Sequence, residues 1–202
     1  MKSGTLPLEN DGWETLSEES HYAGAHLSVA THEVRTPSRP AGQRWTVAHR
    51  KAAVIIAPMT ADGRLVLIRQ ERIPIRSTIW EVPGGQIDDT QEVDSAAREA
   101  VALRELREET GYELTHGGEL VPLGPFFSSP GFTDEHSYFF LARPVQPGAS
   151  GHAHEESECI LECQAFTPRE LREMIASGEI CDANTLSMCA RLVARGFLSL
   201  GE

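Results

Sequence analysis

Long apolar runs are missing from this chain. No stretch approaches the roughly 20 residues needed to cross a bilayer, and Met1-Lys2-Ser3-Gly4 begins without the apolar core of a signal peptide. No membrane partner is expected, and the expected location is cytoplasmic. Positive charge is scarce as well: 18 Lys and Arg stand against 30 Asp and Glu, for a formal net charge of -12. Such a field repels a polyphosphate backbone unless a local basic patch or bound cations reverse it, so nucleic acid is not an expected partner. Cysteine is sparse and late. Cys159, Cys163, Cys181 and Cys189 form no C-x-x-C pair, which supports neither a zinc ribbon nor a disulfide framework; reduced, half-buried thiols are expected. Cys159 and Cys163, four apart on an expected strand, point to one face and read as core. His152-x-His154 offers two imidazoles with no third ligand at zinc spacing. Internal repeats and low-complexity tracts are absent too.

What is there suffices for one hydrophobic core with a small N-terminal appendage: 202 residues, 40% of them apolar and 24% charged. Residues 23–34 and 44–50 alternate short apolar and polar side chains around the turn-rich segment 36–42, which predicts a hairpin. This gives an N-terminal β arm over residues 1–50 and a main domain over 51–202. The continuous apolar runs 52–57 and 64–69, separated by Asp62-Gly63, predict two interior strands that pair. From Val93 to Thr110 there is neither Gly nor Pro, and Ala, Leu, Arg and Glu dominate, so a long helix ending at Gly111 is expected. Strands over 121–127, 137–142 and 160–166 follow, then helices over 168–177 and 183–195, with Thr167 and Asp182 as caps. The irregular alternation favours an α+β domain, helices on a mixed sheet, over a doubly wound fold.

The chemistry concentrates in Arg104-Glu105-Leu106-Arg107-Glu108-Glu109-Thr110-Gly111-Tyr112. At 3.6 residues per turn, Glu105 and Glu109 lie about 40° apart around the helix axis and about 6 Å apart along it, with Glu108 on the adjoining flank. Like charges so placed oppose the helix, and they sit near its negative end, where cations are favoured. A hard divalent cation such as Mg²⁺ or Mn²⁺ answers this need, because it takes carboxylate oxygens and keeps waters for a phosphate substrate. A solvated acidic face balanced by Arg104 and Arg107 is the plainer alternative.

The company of this stretch decides between them. Trp80-Glu81-Val82-Pro83-Gly84-Gly85-Gln86-Ile87-Asp88, followed by a helix carrying R-E-L-R-E-E-T-G-Y, resembles the signature of the Nudix hydrolases. The C-terminal half of that signature matches at every defined position. The N-terminal half departs: counted back from Arg104, the family's glycine and glutamate places hold Thr90 and Ala96. With Gly85 as the glycine, about five extra residues fall before Arg104, and Glu92 or Glu99 stands in for the displaced glutamate. The unbroken helical propensity predicts that the insertion is absorbed before the metal-binding turns, keeping the register of Glu105 and Glu109. Arg69-Gln70-Glu71-Arg72-Ile73-Pro74-Ile75, Ser128-Ser129-Pro130-Gly131-Phe132-Thr133-Asp134-Glu135 and Asp182-Ala183-Asn184-Thr185-Leu186 further resemble the ADP-ribose pyrophosphatase branch.

The resemblance implies a Nudix-type α/β/α sandwich with an arm that exchanges between subunits of a homodimer. It implies metal on Glu105, Glu109 and the Gly84 carbonyl, Glu108 as ligand or base, and Arg104 orienting these carboxylates. By similarity to an acidic loop of that branch, Glu158 is a further metal ligand and Glu156 the catalytic base; a merely solvated loop is the alternative. Glu135, on its proline-glycine loop, is a competing base. Arg72 and Glu81 are candidate substrate contacts, and Trp80 or Phe132 offers a stacking face for a base unless its ring is core. The expected activity is Mg²⁺-dependent hydrolysis, with Mn²⁺ as the other candidate ion, of the pyrophosphate in ADP-ribose or a related nucleoside diphosphate sugar. The products are a nucleoside monophosphate and a sugar phosphate. Another nucleoside diphosphate derivative is the nearest alternative substrate. A ligand sensor that has kept only the fold is the non-enzymatic alternative, against which the retained Glu105, Glu108 and Glu109 argue.

Overall fold

The computed structural model describes residues 12–87, 94–148 and 159–201. Two sheets organise it. The first is antiparallel, in the order β1 (Glu14–Ala23), β2 (Ser28–Thr36), β3 (Arg39–His49). The expected hairpin is therefore two strands of a three-stranded sheet. Its β2–β3 turn is tighter than expected, since Thr36 already pairs with Arg39, and Pro40 is accommodated because β3 is an edge strand.

The second sheet has seven strands. Its path runs β10 (Ile160–Phe166), β5 (Leu65–Arg72), β4 (Ala53–Thr60), β9 (His136–Pro147), β8 (Tyr112–Phe127), with β6 (Ser77–Glu81) on β5 and β7 (Gly84–Gln86) on β4. The β4–β9 pair is parallel and the other pairs are antiparallel, so the sheet is mixed. Helix α1 (Ser95–Thr110) covers one face; α2 (Pro168–Ser177) and α3 (Ala183–Ala194) cover the other. This is the α+β sandwich expected from the sequence.

The strand period of two explains why both faces are apolar. On β4, Val54 and Ile56 pack with Ala102 and Leu106 of α1, while Ile55, Ala57 and Met59 pack toward Leu171, Met188 and Leu192 of α2 and α3. On β9, Phe140 and Ala142 join the α1 side, and Phe139 and Leu141 the opposite one. A strand covered on both faces reads as a continuous hydrophobic run, which is how β4 and β5 appear in the sequence.

Each helix starts where a side chain can accept from its first turn. Asp94 accepts from the Ala97 amide and caps α1, whose C-terminus closes on Gly111 at φ 69°. Thr167 and Glu170 form a reciprocal capping box on α2, and Asp182 caps α3. Among the described residues no helix is long and apolar enough to cross a membrane.

All four cysteines are free. Cys159 is exposed just ahead of β10, not in the core as its spacing from Cys163 suggested, because the strand begins one residue later. Burial pushes the Cys189 thiol up to about 11, and burial together with the charge of Glu109 does the same to Cys163. At pH 8 both stay protonated and therefore unreactive. Iodoacetamide is expected to label Cys159 and Cys181 first, with Cys163 and Cys189 modified only after denaturation, as read by peptide mass mapping.

Candidate active site

The site is built where β6 turns into β7 against the last two turns of α1. Val82 and Pro83 link the strands, and β7 pairs with β4 through Ile55↔Gly84, Val54↔Gly85 and Ala53↔Gln86. Three hydrogen bonds suspend this turn. The Val82 N–H donates to Thr185 Oγ1 at 3.0 Å, the Ile56 N–H to the Pro83 carbonyl at 2.9 Å, and the Gly84 N–H to Glu109 Oε2 at 2.7 Å. Helix α1, β4 and α3 thus each hold one backbone group of a three-residue segment.

Both glycines are needed, for different reasons. A Cβ on Gly84 would lie 2.4 Å from the Val54 carbonyl oxygen, backbone against backbone. A Cβ on Gly85 would lie 2.2 Å from Glu105 Oε1, so here the absent side chain is what leaves room for a carboxylate. Glu105 and Glu109 are 6% and 1% exposed, among the few charged side chains in the interior. Both face β7, one against Gly85 and the other on the Gly84 amide, so the insertion ahead of Arg104 leaves their shared register intact. Asp94, as cap, starts the helix well before the box arginine.

Arg104 bridges Glu105 and Glu108, donating to Glu105 Oε1 at 2.7 Å and lying 3.5 Å from Glu108. One strand over, Arg72 forks onto both oxygens of the buried Glu81, at 2.8 and 2.7 Å. Glu81 first, then the charges of Glu109 and Asp182, raise the Arg72 guanidinium above its ordinary value. Arg72 is therefore locked in its charged form beside the carboxylate face.

The donor set suits a hard divalent cation: two interior carboxylates and neighbouring backbone oxygen, with no thiolate or imidazole among these donors. Among the described residues no three His, Cys, Asp or Glu side chains converge on one point.

Trp80 is 8% exposed and stacks edge-on against Phe166 at 5.0 Å inside the α2/α3 core, so its ring has no open face for a base. Phe132 is exposed, and its carbonyl accepts from the Ala48 amide at the end of β3. Glu135 pairs with Arg50 at 3.0 Å and accepts from Ser128 Oγ at 3.1 Å. Glu92, Glu156, Glu158, His152 and His154 lie outside the described residues. The contact that sequence reasoning missed is Thr185, 103 positions from its partner Val82.

Comparison with known proteins agrees with this geometry. A family model described as NUDIX domain matches residues 48–187. An ADP-ribose pyrophosphatase of Bacillus subtilis is 31% identical over 172 residues, 85% of this chain and 88% of that protein. One from Mycobacterium tuberculosis is 29% identical over 187 residues, 92% of this chain and 86% of that one. A solved structure described as an ADP compounds hydrolase superposes with a TM-score of 0.70 at 18% identity, covering 93% of this chain and 97% of that one, which shows the shared fold. The glycine turn, the interior glutamates of α1 and a family match over most of the sequence lead to one conclusion: the chain belongs to the Nudix family, as a pyrophosphohydrolase of that family.

Proposed function

We propose that the chain hydrolyses the pyrophosphate of ADP-ribose or a related nucleoside diphosphate sugar, with Mg²⁺ as its ion and Mn²⁺ as a substitute, releasing a nucleoside monophosphate and a sugar phosphate. The observation that carries this reading is the pair of interior carboxylates, Glu105 and Glu109, set against Gly84 and Gly85. The two ADP-ribose pyrophosphatases similar over most of the chain support the substrate class.

A pyrophosphate repels a hydroxide nucleophile until positive charge covers its oxygens. Divalent cations supply that charge and acidify bound water. This chain's residues do the rest. Glu105, Glu109 and the Gly84 carbonyl hold the ion, joined by Glu158. Arg104 fixes the carboxylate of Glu105 and reaches Glu108, which serves as ligand or base. Glu156 is the proposed base and Glu135 its competitor. Arg72, held charged by Glu81, offers the outer edge of its guanidinium to substrate oxygen. Mg²⁺-dependent product release measured over ADP-ribose, other nucleotide sugars and nucleoside triphosphates tests the reading; no turnover of any nucleotide sugar would overturn it.

The arm over residues 1–50 belongs to the same reading, with the catalytic domain over 51–202 and the family match starting at residue 48. Trp13, Tyr22 and Trp45 are each more than half exposed on it, and a groove of about 590 Å³ lies between Trp13, Trp45, Phe127 and Phe132. Such an apolar surface suits a second copy of the chain, giving a homodimer that the arm holds together. Sedimentation equilibrium at micromolar concentration is expected to return twice the monomer mass. A monomer mass throughout would remove the dimer.

A further inference from the structure

We infer that Thr185 is a positioning residue for the metal-binding turn, acting on it through the Val82 amide from the far side of the sheet. The inference rests on the reading of Gly84, Glu105 and Glu109 as the ion-holding set.

The chemistry of the hydroxyl makes Thr185 more than a packing residue. It is fully buried at the start of α3. A hydroxyl has one proton to give and lone pairs to accept with. Thr185 Oγ1 gives its proton to Asp182 Oδ2 at 2.9 Å, and the same carboxylate oxygen takes the Thr185 N–H at 2.8 Å. With the proton committed, Oγ1 is oriented as an acceptor, and it accepts the Val82 N–H at 3.0 Å. The cap of α3 thus does two things at once: it starts a helix and aims a lone pair at the β6–β7 turn.

That turn has few ways to be held. Pro83 has no N–H, so between Glu81 and Gly84 only the Val82 amide is available as a backbone donor. Two residues on, the Gly84 N–H is bonded to Glu109 Oε2 at 2.7 Å. Thr185 therefore fixes one end of a three-residue stretch whose other end sits on the carboxylate proposed to hold the ion. Without the Thr185 acceptor, the Val82 amide is left buried and unpaired, and the turn moves to find a partner. The Gly84 peptide moves with it. Displacements of this kind cost rate out of proportion to stability, because the donors are misplaced at the reacting atoms.

The test compares Thr185→Val, which keeps the shape and loses the acceptor, with Thr185→Ser, which keeps the acceptor and loses a methyl group. Thr185→Cys, with bulk close to serine and a weak sulfur acceptor, stands in should the valine variant not fold. Three quantities are read: Mn²⁺ binding by electron paramagnetic resonance on metal-stripped protein, kcat and KM with Mg²⁺ and ADP-ribose, and deuterium exchange at the Val82 and Gly84 amides. Thr185→Val is expected to weaken Mn²⁺ binding, speed exchange at both amides and lower kcat by roughly tenfold or more, with KM within about threefold. Thr185→Ser is expected to stay near wild type in all three. A folded Thr185→Val with wild-type Mn²⁺ binding and kcat overturns the inference, as does equal impairment of Thr185→Ser, which would make the methyl group the operative part. Glu109→Gln, run alongside, separates the two levels. If it retains full Mn²⁺ binding and turnover, the reading of the ion site falls and the inference with it. If it loses both while Thr185→Val does not, only the inference falls.

Discussion

Glu109→Gln is expected to cut Mg²⁺-dependent turnover by about two to four orders of magnitude while leaving the fold intact. The substitution is nearly isosteric and keeps an oxygen that can accept the Gly84 N–H, so the 2.7 Å bond that ties α1 to the glycine turn has a replacement. What disappears is a negative charge in the interior, on a residue 1% exposed. Without a bound cation that charge opposes Glu105 one helical turn away, so its removal eases the helix by a few tenths of a kcal/mol. Stability in chelator is therefore expected to hold or rise slightly, whereas the stabilisation that Mn²⁺ gives the wild type on thermal melting is expected to shrink. A structural carboxylate would show the reverse pattern, with lost stability and retained rate. Turnover and melting temperature, with and without the ion, distinguish the two, and unchanged Mg²⁺-dependent turnover would remove Glu109 from the site.

The parts of this arrangement that the sequence discloses are those set by local periodicity. Val54 to Ile56 are apolar on both strand faces because helices cover both, and that is visible as a run without alternation. The spacing of Glu105 and Glu109 follows from helical geometry, and the absence of Gly and Pro through Val93–Thr110 marks the helix that carries them. Asp182 and Thr167 read as caps because capping is a short-range interaction. Strand β1 was not legible. Its sequence, Glu14–Ala23, is polar almost throughout and exposed along its whole length, so it is specified by pairing with β2 and not by a buried face. The start of β8 was hidden in the same way by His116-Gly117-Gly118, a turn signal that falls within the strand, where the ladder with β9 shifts register between Leu114 and Glu119.

Contacts between distant segments leave no local trace. The bond between Val82 and Thr185 spans most of the main domain. Arg72 pairs in register with Ser77, yet its guanidinium reaches back along the hairpin to Glu81, four residues beyond that partner. The arrangement neutralises Glu81 in place, which is why a buried glutamate is tolerated at a strand end between Trp80 and Val82. Trp80 shows the opposite limit. An aromatic residue beside a signature motif suggests a stacking platform, and only the packing against Phe166 assigns the ring to the core.

Gly84 and Gly85 differ by one position, and alanine at each is expected to fail in a different way. At Gly84 the new Cβ would meet the Val54 carbonyl oxygen at 2.4 Å and the Ile55 Cα at 3.1 Å, so neighbouring strands must separate. Backbone cannot swing aside, and Gly84→Ala is expected to cost about 1–3 kcal/mol of stability, the range for forcing bulk into a packed interior. At Gly85 the obstruction is the carboxylate of Glu105, with Oε1 at 2.2 Å and Oε2 at 2.7 Å. A glutamate side chain can rotate away at little cost, and Gly85 does not sit at a positive φ, so alanine fits the backbone. Gly85→Ala is therefore expected to melt within a few degrees of wild type. The carboxylate, however, has to leave its place beside Glu109, and turnover is expected to fall by about a hundredfold or more, as for other misplacements near an ångström in size. Chemical denaturation and Mg²⁺-dependent kinetics on the two variants decide the matter. A Gly85→Ala enzyme with full turnover would mean that Glu105 acts from another position, and a Gly85→Ala variant that fails to fold would make this glycine a structural requirement in its own right.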